Sequence, residues 1–405
     1  MNKFKISNDA KKAIIIGSIC SVSYLAVYVA RNILSAVSPQ MIEKGLFTTE
    51  NIGTFSSIYF IIYALGQLIN GMVGDKVKAK YMISFGLAFA GICFFLFSFF
   101  SNSLIASYIV YGIAGFFLSM IYGPMTKVVA ENTEPVYATR CSVGYEFACL
   151  LGSPVAGLLA AFLMWKVAFS VGSLILLVMG IIAFAVFSVF EKKGVIAYNK
   201  YEKPKETGGI KTLIRHRIIK FTLISVITGI VRTAVIFWLP TYISQYLGFS
   251  AENSALLFTA ATAIISSTTF ISILIYERLG RNMDLTIMLS FGAASVSFLL
   301  VFLLKLPILN IIFMILAIMS SNSAATMLWS RYCPSLRDTG MVSSATGYLD
   351  FMSYMAAAIS SSLFANAVAD IGWANLILIW FGLMVAGLLV SLPYRKIIGK
   401  HNSSL

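Results

Sequence analysis

The sequence predicts an all-α membrane protein whose twelve transmembrane helices form two pseudo-symmetric six-helix bundles. Three observations predict this fold class: apolar runs along the whole chain, a biased distribution of basic residues, and an internal repeat. Of the 405 residues, 59% are hydrophobic and 11% are charged, and the mean hydropathy is +0.87. Such a composition is typical of a chain that lies mostly within a lipid bilayer.

Apolar runs of about 20 residues recur along the chain, and an α-helix needs a run of that length to cross the hydrocarbon core. We assign twelve of them as membrane spans and number them in chain order. They are 13–36, 52–73, 81–100, 104–126, 141–163, 167–190, 218–246, 254–276, 285–304, 308–329, 341–368 and 373–394. Together they leave little of the chain for a soluble domain.

Basic residues are concentrated on one side of the predicted membrane. With the N-terminus in the cytoplasm, 25 of the 30 lysines and arginines fall in cytoplasmic segments and three in outer segments. The positive-inside rule therefore places both termini in the cytoplasm. The net charge of +14 is explained by this topology, so no nucleic-acid partner is expected. We expect a monomeric, multi-pass protein of a plasma membrane, specifically a bacterial inner membrane.

The second half of the chain repeats the first at an offset of about 201 residues. Arg31 precedes Pro39 by eight residues, and Arg232 precedes Pro240 by eight. The segment F-T-T-E-N at 47–51 then corresponds to F-S-A-E-N at 249–253. Tandem duplication explains these matches, and it gives each half one arginine at the same place in its first helix.

A hydrophilic stretch from Glu191 to Lys220 separates the two repeats, and proline and glycine residues interrupt it. Such a segment is typical of a flexible linker. The predicted division is an N-terminal bundle at 1–190, a cytoplasmic linker at 191–217, and a C-terminal bundle with a cytoplasmic tail at 218–405.

The two arginines are the candidate centre of the protein. Arg31 shares a helix face with Tyr24 and Tyr28, which precede it by seven and three residues. Arg232 lies eleven residues past Phe221, or about 17 Å along a helix, near the middle of the bilayer. An arginine at that depth costs about 3 kcal/mol, and the substrate sites of two-half transporters lie at that depth. Since a guanidinium matches carboxylate or phosphate oxygens, we expect both arginines to bind an anion.

Two acids within the spans offer an alternative. Glu146 in span 5 and Asp350 in span 11 could form structural ion pairs with the arginines, and Arg31 could also extend to the outer interface. Intramembrane acids are often functional, so Glu146 and Asp350 are also candidates for coupling transport to a proton.

Span 2 has a polar stripe formed by Tyr63, Gln67 and Asn70 at i, i+4 and i+7, which lipid would not accommodate. After it comes the loop G-M-V-G-D-K-V-K-A-K, from Gly71 to Lys80. This loop resembles the G-x-x-x-D-[RK]-x-[GA]-x-[RK] loop of the major facilitator superfamily. The resemblance implies that Gly71, Asp75 and Lys80 gate the cytoplasmic side.

No metal site, cofactor or enzymatic centre is predicted. The five cysteines have no paired spacing, and the two histidines, His216 and His401, lie outside the spans. A metal-ligand cluster and a nucleophile motif are both missing from the sequence.

The segments around both arginines resemble the organophosphate:phosphate antiporters, which carry glycerol-3-phosphate and hexose phosphates. The resembling motifs are Y-x3-Y-x2-R-x7-P at 24–39 and R-x5-W-x-P-T-Y at 232–242. By resemblance, Arg31 and Arg232 bind the phosphoryl group. The other residues expected at the substrate site are Tyr24, Tyr28, Tyr63, Gln67 and Trp238.

The sequence departs from that family at three places. Gln67 stands where the glycerol-phosphate carriers have a lysine, and the family's span 5 histidine and span 8 glutamate have no counterparts. The site is therefore expected to be less positive than in those carriers.

The expected function is alternating-access transport of a small anion, a phosphate ester or phosphate, in exchange for phosphate. A proton-coupled symporter of a non-phosphate organic anion is one alternative. A transporter-like sensor of sugar phosphates is another.

Overall fold

The computed structural model describes residues 7–74, 77–197, 210–336 and 342–392. Nearly all of these residues are helical, because a backbone inside a bilayer must pair its polar groups within each segment. The first half contains α1 (Asn8–Glu43), α2 (Thr49–Gly74), α3 (Ala79–Phe100), α4 (Leu104–Leu118), α5 (Tyr122–Asn132), α6 (Pro135–Phe162) and α7 (Trp165–Lys192). The second half contains α8 (Ile210–Arg215), α9 (Ile218–Gly229), a π-helix (Ile230–Val235), α10 (Ile236–Gln245), α11 (Ala251–Ser266), α12 (Thr268–Arg278), α13 (Met283–Leu303), α14 (Pro307–Met327), a second π-helix (Leu328–Tyr332), α15 (Cys333–Ser335) and α16 (Val342–Ser391).

Ten stretches of the described chain are long and apolar enough to cross a membrane. Two further crossings complete the predicted set. α16 contains two spans, because Gly372 with φ 77° turns the chain between them, a conformation that favours glycine. The fifth span is α6, whose apolar part is Phe147–Phe162. The described helices thus account for twelve crossings, and the predicted fold class is confirmed.

Three of the predicted spans are interrupted and a fourth ends in a π-helix, which the apolar composition of these spans does not predict. Span 4 is divided into α4 and α5, and span 8 into α11 and α12. Span 7 contains a π-helix, and a second π-helix begins at the end of span 10. Proline explains two of these sites, because Pro124 and Pro240 have no N–H to donate to the carbonyl four residues earlier.

Contacts divide the chain into two compact units. The first comprises Met1–Lys203 with Phe237–Ser266, and the second comprises Pro204–Ile236 with Ser267–Leu405. The predicted bundle boundary at the linker stays a prediction, since 198–209 lie outside the described residues.

Hydrogen bonds join α10 and α11 to the rest of the first unit. Ser38 and Thr241 hydroxyls lie 2.8 Å apart, and the Ser35 hydroxyl donates to the carbonyl of Phe237 at 2.5 Å. On the other side, the Ser266 hydroxyl donates to the carbonyl of Leu150 at 3.0 Å. These bonds connect α1 with α10 and α6 with α11.

Candidate functional site

The first unit is built around a close crossing of α1 and α6. A Cβ added to Gly152 would lie 2.6 Å from the carbonyl carbon of Tyr28 and 2.9 Å from the nitrogen of Val29. Real side chains do not tolerate such distances, so glycine is required at this crossing. Nearer the start of α1, a Cβ on Gly17 would lie 2.7 Å from Sγ of Cys141.

The second unit repeats this crossing between α9 and α16. The Ser225 hydroxyl donates to the carbonyl of Leu349 at 2.7 Å, and a Cβ on Gly229 would lie 2.9 Å from Cα of Ser353. Gly229 follows Tyr28 by 201 positions, and Ser353 follows Gly152 by the same number. The crossing therefore occurs at equivalent positions in both units. Its glycine lies on α6 in the first unit and on α9, the equivalent of α1, in the second.

Each arginine follows this crossing by three residues. Arg31 comes three residues after Tyr28, and Arg232 comes three residues after Gly229. In each unit, the arginine thus lies about one helical turn beyond the crossing. This position is what the sequence repeat predicts.

Arg31 lies among aromatic rings. Its guanidinium carbon is 4.9 Å from the ring centre of Phe60, 5.0 Å from that of Tyr28 and 5.3 Å from that of Tyr63. Its Nη1 donates to the Tyr28 hydroxyl at 3.3 Å, and the residue is only 8% exposed. The side chain is therefore buried instead of extending to the outer interface, and cation–π attraction is stronger where water is excluded.

The predicted tyrosines accompany Arg31. Tyr24 donates its hydroxyl to that of Tyr28 at 3.5 Å, and Tyr63 is fully buried and stacked on Tyr59. The structure thus brings Tyr24, Tyr28, Tyr63 and Arg31 together.

Span 2 contributes two further polar side chains. Gln67 is half-buried. Asn70 donates to the Ser119 hydroxyl at 2.7 Å, so it joins α2 to the end of α4.

Arg232 lies in the first π-helix of the second unit and is half-buried. π-helical turns are rare and frequently occur at functional sites. Asp350 is half-buried and follows Leu349, which is level with Ser225. Arg232 follows Ser225 by seven residues, so the Cα atoms of these two residues differ by about 10 Å along the helix axis.

The remaining candidates are placed as follows. Trp238 is fully buried in the first unit, with its ring edge-on to that of Phe237. Glu146 is part of α6, but its side chain lies outside the described set.

The predicted cytoplasmic gate is described in part. Lys80 and Lys78 both form ion pairs with Glu191 at the end of α7. Lys127 donates to the carbonyl of Gly74 at 3.1 Å. Gly71 lies in α2, whereas Asp75 lies outside the described residues. These contacts tie the loop after α2 to α5 and α7 within one unit.

Sequence reasoning missed four residues of these sites. Phe60 contacts Arg31, Glu191 pairs with the gate lysines, and Tyr122 and Tyr145 contact Tyr24. The only sequence signal was the proline near Tyr122, since tertiary contacts of this kind leave no periodic pattern. Among the described residues, no group of three or more His, Cys, Asp or Glu could hold a metal ion.

Two curated proteins, a membrane sensor and a transporter, are similar to parts of this chain. The chain is 30% identical over 94 residues to Membrane sensor protein UhpC of Salmonella typhimurium, covering 23% of this chain and 21% of the sensor. It is 23% identical over 257 residues to the Glycerol-3-phosphate transporter of Bacillus subtilis, covering 58% of each chain. The matches thus span about a fifth and just over half of the relatives' lengths.

Solved structures share the fold at low identity. A D-xylose-proton symporter has a TM-score of 0.71 at 12% identity, with 94% of this chain and 97% of that chain covered. The nucleoside transporter NupG has a TM-score of 0.71 at 16% identity, with 93% and 98% covered. The sequence profile of the Major Facilitator Superfamily matches residues 20–361. The chain therefore belongs to the major facilitator superfamily.

Proposed function

We propose that this transporter moves a small phosphate ester or phosphate across the membrane by alternating access, with Arg31 and Arg232 binding the phosphoryl group. The observation that carries the proposal is the arginine in each unit, three residues past the duplicated crossing. A duplicated cation at one register is expected where two halves share one anionic ligand. Members of the superfamily are transporters rather than enzymes.

The surroundings of Arg31 support anion binding. A guanidinium stays charged in a buried site and presents a planar fork to phosphate oxygens. Three rings surround it and exclude water, which strengthens its attraction for an anion. The name of the Bacillus subtilis relative agrees with a phosphorylated substrate.

The coupling that we propose is exchange against inorganic phosphate. Phosphate counterflow in proteoliposomes, measured without a pH gradient, tests it directly. Uptake only under an inward proton gradient would instead support symport of an organic anion, with Glu146 or Asp350 carrying the proton. Of Asp350→Asn and Glu146→Gln, tested separately, the variant that removes the proton carrier would then abolish the proton dependence.

A sugar-phosphate sensor is the second candidate, because the 94-residue match to UhpC has the higher identity of the two relatives. A sensor binds its ligand but does not need to move it. Binding without counterflow in the same proteoliposomes would favour the sensor, whereas rapid counterflow would remove it.

The proposed setting is the inner membrane of a bacterium, where the protein acts as a monomer with both termini in the cytoplasm. Single cysteines at position 3 and in the loop at 305 test this topology. We expect an impermeant thiol reagent added to intact cells to label the second position and spare the first.

A further inference from the structure

Four tyrosines form a continuous cluster beside Arg31 in the first unit. They are Tyr24 and Tyr28 of α1, Tyr122 of α5 and Tyr145 of α6. The ring of Tyr24 lies 4.9 Å from that of Tyr28, 5.5 Å from that of Tyr122 and 6.2 Å from that of Tyr145. The rings of Tyr122 and Tyr145 are 6.1 Å apart, edge to face. This tyrosine cluster reaches Arg31 through the hydroxyl of Tyr28.

The cluster differs in chemistry from the aromatic packing elsewhere in the same unit. A second group of rings joins α2, α3, α4 and α7 and mixes phenylalanine with tyrosine, with Phe55 5.4 Å from Phe97, Phe97 4.5 Å from Phe169, and Tyr111 5.6 Å from Phe97. Phenylalanine suffices for packing helices, because a buried phenol also requires a hydrogen-bond partner. Four phenols beside a buried cation therefore indicate a site whose hydroxyl groups have a use beyond packing.

The break in span 4 points to the same place. α4 ends at Leu118 and α5 begins at Tyr122, and Pro124 provides no N–H for the carbonyl of Met120. The Thr126 hydroxyl donates to the carbonyls of Tyr122 and Gly123 at 3.1 and 2.8 Å. Discontinuous helices in transporters place such backbone groups at the ligand site, and inside a membrane they require polar surroundings.

We infer that Tyr122 and Tyr145, together with Tyr24, bind the uncharged, hydroxyl-bearing carbon skeleton of a phosphate ester while Arg31 binds its phosphoryl group. This inference rests on the proposed function and adds two specificity-determining residues to it. Ring faces pack against C–H groups, and phenol hydroxyls exchange hydrogen bonds with a polyol. The subsite therefore distinguishes a polyol phosphate from inorganic phosphate, which has no carbon skeleton to fill it.

Calorimetric titration of the purified full-length protein with two probes tests the inference. The probes are glycerol 3-phosphate and inorganic phosphate, and the variants are Tyr122→Phe, Tyr145→Phe and Arg31→Lys. Each phenylalanine keeps the ring and removes one hydroxyl, so folding is preserved, and an unchanged melting temperature verifies this. Tyr81→Phe is the matched control, because Tyr81 is exposed on α3.

We expect Tyr122→Phe and Tyr145→Phe to weaken glycerol 3-phosphate binding by about three- to tenfold, the usual effect of one hydrogen bond, and to leave phosphate binding unchanged. Arg31→Lys should weaken both probes, and Tyr81→Phe neither. Equal loss for both probes, or no loss for either, would overturn the subsite but leave the proposed function standing. If the unmodified protein binds neither glycerol 3-phosphate nor inorganic phosphate, the subsite and the proposed function are both overturned.

Discussion

Gly152 packs directly against the backbone of Tyr28, where a Cβ on the glycine would come within 2.6 Å of the Tyr28 carbonyl carbon. The second unit contains the same crossing 201 residues later, with Gly229 against Ser353. The arginine of each unit lies three residues after its crossing. Packing at the crossings therefore determines the backbone position from which each arginine side chain extends.

We expect Gly152→Ala and Gly229→Ala to destabilise the protein, because the new methyl group must displace backbone atoms. Overpacking of this kind costs about 1–3 kcal/mol, which should lower the apparent melting temperature in detergent by several degrees. Gly292→Ala in α13 is the control, since no atom lies within 4 Å of a Cβ there. Equal melting temperatures for all three variants would show that the crossings are not tight.

The sequence predicts the positions of the two arginines but not all of their surroundings. Apolar runs and the repeat predicted the spans and the equivalent positions of Arg31 and Arg232, because both depend on local composition and order. The π-helix around Arg232 was not predictable, since it depends on how the backbone upstream of Pro240 packs. Tyr122 and Tyr145 were missed because they meet Tyr24 only through the packing of three helices.

A second prediction concerns Glu191, which pairs with Lys78 and Lys80 at the cytoplasmic end of the first unit. We expect Glu191→Gln to lower the melting temperature slightly at low salt, because ion pairs at a protein surface contribute about 1 kcal/mol or less. The difference should shrink as salt screens the charges. Glu134→Gln, at an exposed glutamate preceding α6, is the control. A loss of stability that is independent of salt would contradict an ion-pair origin.

A third prediction uses the bond between α1 and α10. The hydroxyl oxygens of Ser38 and Thr241 lie 2.8 Å apart, so cysteines at both positions should form a disulfide. If transport requires α1 and α10 to separate, oxidation of the double variant should stop counterflow and a reductant should restore it. Each single cysteine variant should transport after oxidation. Full transport by the cross-linked protein would show that this contact stays closed during the cycle.

The central claim is that one arginine from each repeat binds the transported anion. Phosphate counterflow in proteoliposomes tests it most directly, with Arg31→Lys and Arg232→Lys compared with Arg331→Lys, an exposed arginine over the ring of Tyr276. Lysine keeps the charge but loses the planar fork. We therefore predict that the counterflow rate falls by about tenfold or more in Arg31→Lys and in Arg232→Lys, and that it is unchanged in Arg331→Lys. Near-normal counterflow in Arg31→Lys or Arg232→Lys would contradict the account.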